Sequence, residues 1–80
     1  MAVKSTFSSM YSTFRDLLIE ARKKSGLTQV ELSQQLSKPQ SFVSKYESGE
    51  RRLDLIEFLE IADVLNINTN NFITDLLNSK

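Results

Sequence analysis

Apolar residues recur along this chain at three- and four-residue steps, without the alternation that marks a half-buried strand. Phe14, Leu17, Leu18 and Ala21 fall at i, i+3, i+4 and i+7 and predict a first helix beginning between Ser8 and Thr13. Arg22, Lys23 and Lys24 occupy its last turn, where cations suit a helix C-terminus, and Gly26 ends it. A second helix is predicted over residues 28–36, with Leu32 and Leu36 inward, and a third over residues 40–47, with Val43 and Tyr46 inward. Gly49 suits a left-handed cap after it. A fourth begins near Asp54, with Glu57 completing a cap and Leu55, Phe58, Ile61, Ala62 and Leu65 as its buried stripe. Asn66 tolerates the left-handed conformation that would end it. The fifth covers residues 70–77 and carries Phe72, Ile73, Leu76 and Leu77. The fold class expected is all-α with five helices. Residues 1–9, rich in Ser and Thr, are expected to form a flexible arm, and residues 10–80 one domain.

The second and third helices hold the most information. Thr28 followed by Glu31 is a capping-box pattern, and only Ser37, Lys38 and Pro39 separate the two segments. Two helices joined so closely cross steeply, so one can lie in a groove while the other braces it. The third segment carries Gln40, Ser41, Ser44 and Lys45, side chains suited to base edges and phosphates.

Composition narrows the alternatives. Eighty residues support one small domain with a modest core. The chain has no Cys and no His, which removes disulfides, thiolate nucleophiles and the commonest general base and metal ligand. No catalytic residue, metal or cofactor is expected. Glu57, Glu60 and Asp63 on the fourth helix read as a solvated acidic face rather than an acid/base pair. Apolar runs are too short for a membrane span, and residues 1–12 lack the apolar core of a secretory signal, so a cytoplasmic protein is expected. Net charge is zero but unevenly spread. Residues 1–52 hold nine Lys/Arg against five Asp/Glu, whereas residues 53–80 hold one against five. A basic region therefore coincides with the helix pair.

The order Ala21-Arg22, Gly26-Leu27-Thr28-Gln29, Leu32, Leu36, Gln40-Ser41, Val43-Ser44, Glu47-Ser48-Gly49, Arg51-Arg52, Leu59, Ile61-Ala62, Leu65 and Phe72 resembles the phage-repressor and Cro type of helix-turn-helix protein, the XRE family. The resemblance covers residues 11–73. It implies a lambda-repressor-like domain, with the helix-turn-helix formed by helices 2 and 3. It implies sequence-specific binding of double-stranded DNA by a small, repressor-like transcriptional regulator, with residues 40–47 in the major groove. On that reading Gln40, Ser41, Ser44 and Lys45 contact bases, Lys45 reaching either guanine or a phosphate. Phe42 is expected to be partly exposed. Gln29 contacts a phosphate and buttresses Gln40, and Arg51 and Arg52 neutralise phosphates. Arg22 and Glu47 form a partly buried structural ion pair. Two positions depart from the family: Ser33 stands where a small Ala is usual, and Ser37 where Gly is usual.

Phe72, Ile73, Leu76 and Leu77, clustered at one end of the chain, are expected to form a homodimer interface, and the operator to be a palindrome. The rival readings are an antitoxin whose acidic half grips a toxin, a restriction-modification controller, or an adaptor that binds protein on the same fold. An enzyme is not expected.

Overall fold

The computed structural model describes residues 2–79, with side chains from residue 9 onward. Five helices and no strand make up the described residues: α1 (Ala2–Lys24), α2 (Gln29–Gln35), α3 (Phe42–Ser48), α4 (Leu55–Leu65) and α5 (Thr69–Asn78). Helix α1 begins at Ala2, earlier than the Ser8 to Thr13 window, so residues 2–9 of the stretch read as an arm lie in its first turns. Helix α3 begins two residues later than residues 40–47 suggested, because Pro39 and the turn delay it.

Local chemistry explains where each helix starts and stops. Thr28 and Asp54 each accept a hydrogen bond from the backbone of Glu31 and Glu57, and those glutamates bond back to the capping residue's own amide. Both are complete capping boxes, satisfying amides that the helix itself leaves unpaired. Asn68 caps α5 through the Asn71 amide. Asn66 closes α4 in the left-handed conformation, φ +59°, while the Ile67 amide donates to the Ala62 carbonyl. Ser37 adopts φ +58° after α2, with the Lys38 amide on the Ser33 carbonyl. A residue with a Cβ takes the position that glycine would occupy without strain.

The core is one cluster of Leu18, Leu32, Phe42, Val43, Tyr46, Phe58, Ile61, Leu65 and Phe72. Its rear is aromatic. Phe14 lies between Phe58 and Phe72 at 5.6 and 5.8 Å, and those two rings are 5.0 Å apart. Phe72 therefore belongs to the core and not to an outer interface, because the α1 and α4 rings enclose it. Leu55 also departs from expectation. It is 66 % exposed, with Ile56 and Leu59 exposed near it, so the buried stripe of α4 begins at Phe58. Capping by Asp54 turns the first residue of α4 away from the core.

The strained turn at Ser37 is testable. Ser37→Gly removes the left-handed penalty, and we expect a gain of roughly 0.5–1 kcal/mol after the added freedom of the unfolded chain is subtracted. Urea unfolding of the two proteins measures it, and a loss of stability would show that the turn carries no strain.

Candidate nucleic-acid interface

The turn between α2 and α3 brings Gln29, Val30, Gln40, Ser41 and Ser44 around an open cleft of about 390 Å³. Gln40 and Ser41 are exposed and precede α3, Ser44 is half-buried, and Lys45 is exposed one turn beyond Ser41. The Ser44 hydroxyl donates to the Ser41 carbonyl at 3.0 Å. Three of the four residues assigned to bases, Gln40, Ser41 and Ser44, thus line one cleft, and Lys45 stands outside that lining on α3.

Behind this face lies a buried polar network centred on Glu47. Arg22 Nε and Nη2 donate to its two carboxylate oxygens at 2.7 and 3.1 Å, and Arg22 Nη1 donates to the Leu27 carbonyl at 2.9 Å. The hydrogen bond to Glu47 raises the Arg22 pKa, and burial opposes it. Gln29 Nε2 donates to Glu47 Oε1 at 2.9 Å. Gln29 is therefore held by Glu47 and makes no hydrogen bond to Gln40, contrary to the buttressing expected of it. The carboxylate outcompetes a neutral amide for the donor.

The two ends of α3 are held from other helices. At its start the Val43 amide donates to the Ser33 hydroxyl at 3.1 Å, both residues being fully buried. At its end Arg15 Nη1 donates to the Glu47 carbonyl at 3.1 Å, where a cation suits the helix dipole. A Cβ on Gly49, whose φ is +88°, would come within 3.2 Å of the Arg15 guanidinium. Two buried polar atoms, Arg15 Nε and the Tyr46 hydroxyl, have no hydrogen-bond partner among the described residues. Burial pushes the Tyr46 hydroxyl well above its usual pKa.

The loop after α3 also differs from expectation. Arg51, expected to neutralise a phosphate, pairs with Glu57 through bonds of 3.0 and 2.7 Å, and its guanidinium lies 5.0 Å from the centre of the Phe42 ring. Hydrogen bonds from Arg51 and then from the Asp54 amide hold the Glu57 carboxyl at a pKa of about 2. Phe42 is buried rather than partly exposed, packed on Tyr46 and flanked by Arg51 and Lys38. Arg52 is exposed and sits 4.2 Å above the Tyr11 ring, whose hydroxyl accepts the Leu53 amide. Arg15, Ser33 and Val30 were not anticipated as parts of this site. The departure from Ala at Ser33 was the one signal available for any of them.

A helix-turn-helix family model (HTH_3) matches residues 18–72, from the core of α1 to Phe72. The chain belongs to this family. Its structure is also similar to an XRE-family like protein from Pseudomonas syringae pv. tomato str. DC3000, with 42 % identity over 96 % of this chain and 94 % of that one, at a TM-score of 0.91. No curated protein matches. The XRE-type helix-turn-helix is a family of DNA-binding regulators, typically without enzymatic activity. The all-α repressor-like fold agrees with both findings. Among the described residues, no helix of this member is long and apolar enough to cross a membrane.

The Glu47 network yields a stability prediction. Glu47→Ala strands the Arg22 charge in a mostly dry site and frees three donors, two of Arg22 and one of Gln29, at a cost on the order of 1–4 kcal/mol. A thermal melt within a degree of wild type would show that the network contributes nothing.

Proposed function

We propose that this chain binds double-stranded DNA with sequence specificity and acts as a small, repressor-like transcriptional regulator, with α3 and the turn before it in the major groove. The observation that carries the reading is the open cleft lined by Gln40, Ser41 and Ser44, with Lys45 exposed one turn beyond Ser41, at a short helix that is tied at both ends. Rigid mounting matters because a bidentate amide contact to adenine discriminates only when its geometry is held. Gln40 suits adenine, and Lys45 suits guanine or a phosphate. Val30 adds an apolar wall to the cleft, as a thymine methyl requires.

Arg52 and Gln29 serve as phosphate contacts. Arg51 contributes less than expected, since Glu57 already occupies two of its donors. The regulator works as a homodimer on a palindrome. Ile73 and Leu77 are 45 and 53 % exposed on α5, beside half-buried Leu76. Leu59 of α4 is exposed as well, at 43 %. A two-fold partner covers the same patch on each copy and sets the two α3 helices about 34 Å apart, one turn of DNA.

Selection of bound sequences from random duplexes tests the reading. Gln40→Ala should relax preference at one base position, whereas Arg52→Ala should weaken binding to all duplexes alike and reduce the salt slope by about one. An unchanged motif and affinity for Gln40→Ala would remove α3 from the groove. For the dimer, sedimentation at micromolar concentration should give a dimer for wild type and a monomer for Ile73→Glu combined with Leu77→Glu. A wild-type monomer that selects a single non-palindromic site would exclude it.

A further inference from the structure

We infer that Ser33 caps α3 in place of Ser41, and that this exchange of roles leaves the Ser41 hydroxyl free to face DNA. The second half rests on the DNA-binding reading above; the first does not.

Three other helix starts show how this chain ordinarily caps. Thr28, Asp54 and Asn68 all have extended ψ angles, 167°, 173° and 108°, and each accepts a backbone amide three residues on with its own side chain. Ser41 does neither. Its ψ is 2° and its side chain makes no capping bond, although Ser is among the best capping residues. Its conformation withholds the hydroxyl from the helix.

The first two amides of α3 are satisfied elsewhere. The Phe42 amide donates to the Pro39 carbonyl at 2.9 Å, and the Val43 amide to Ser33 Oγ at 3.1 Å. Val43 is fully buried, so water does not reach that amide as an alternative acceptor. An Ala at position 33 offers no acceptor there. Ser33 also receives the Lys38 amide on its carbonyl, which closes α2. One residue therefore ends α2 with its backbone and begins α3 with its side chain. It spans the strained turn at Ser37 and sets the phase of α3 against α2. That phase determines how Gln40 and Ser41 stand relative to Gln29 across the cleft. Ser33 is thus a positioning residue, and Ser41 is released for contact.

Ser33→Ala and Ser41→Ala separate these roles. Amide hydrogen exchange, read at Val43 relative to Leu18 and Ile61, reports the cap locally and without DNA. Val43 should exchange about tenfold faster in Ser33→Ala, the equivalent of one lost hydrogen bond, and unchanged in Ser41→Ala. Faster exchange in Ser41→Ala with none in Ser33→Ala would make Ser41 the cap and overturn the inference. No change in either would overturn it too. Ser41 is exposed, so its variant folds even if Ser33→Ala does not, and a rise in its Val43 exchange would still be decisive. Binding to the duplex selected by wild type and to its single-base variants is then compared. Discrimination should fall about tenfold in Ser41→Ala, and also in Ser33→Ala, with affinity for random duplex kept. Unchanged discrimination in Ser41→Ala would overturn the freed-hydroxyl half alone. If wild type discriminates among no duplexes, the DNA-binding reading fails, and the exchange result still decides the cap.

Discussion

The carboxylate of Glu47 is the point on which the front of this molecule depends. It is buried, yet it accepts three hydrogen bonds, two from Arg22 of α1 and one from Gln29 of α2, and its own backbone sits in α3. Burying such a charge is costly, and pairing it with an arginine seldom yields more stability than an apolar contact of equal volume. Its value lies in direction. Hydrogen bonds to fixed oxygens specify an orientation that leucine packing does not. Arg22 is fixed in turn, because its remaining nitrogen bonds the Leu27 carbonyl just before the α2 cap. Three helices thus share one set of distances, and the helix proposed to read DNA cannot rotate without breaking several bonds together.

That constraint is needed because α2 and α3 are seven residues each, far too short to persist alone. The chain answers with two kinds of material. At the rear, Phe14, Phe58 and Phe72 supply non-directional apolar burial that joins α1, α4 and α5. At the front, polar contacts from Ser33, Arg15 and Arg22 hold the short pair in register. The division matches the demands on each half: the rear must be stable, and the front must also be aimed.

Much of this was legible in the sequence, for identifiable reasons. Helices α2 and α4 carry local signals, Thr28 with Glu31 for α2, Asp54 with Glu57 and the stop at Asn66 for α4, and local signals survive without knowledge of neighbours. The cluster of Gln40, Ser41, Ser44 and Lys45 was visible because it is contiguous. What escaped depends on contacts between distant residues. Nothing near Arg51 reveals that Glu57, six positions on, will take its donors. Phe72 reads as an outer apolar residue until the α1 and α4 rings close over it. Arg15 looks like any exposed cation on α1, although it ends on the Glu47 carbonyl 32 residues away. Leu55 fits the helical period of α4, but the period does not show where the stripe meets the core.

The disposition of the cations bears on the kind of recognition such a surface performs. The basic excess of residues 1–52 seemed to argue for a strong electrostatic footprint. In the fold, Arg22 and Arg51 are neutralised by glutamates, and Arg15 is directed inward. Three of the four arginines are thus spent on building the scaffold, whereas Lys23, Lys24, Lys45 and Arg52 stay exposed. On the proposed DNA-binding reading, counterion release falls to these exposed cations, which add affinity without sequence information. Discrimination on that reading falls to hydrogen bonds with base edges, and those bonds are demanding of position. The internal use of arginine and the rigidity it creates are therefore two sides of one arrangement: cations built into the scaffold give the proposed reading face the fixed geometry that such bonds require.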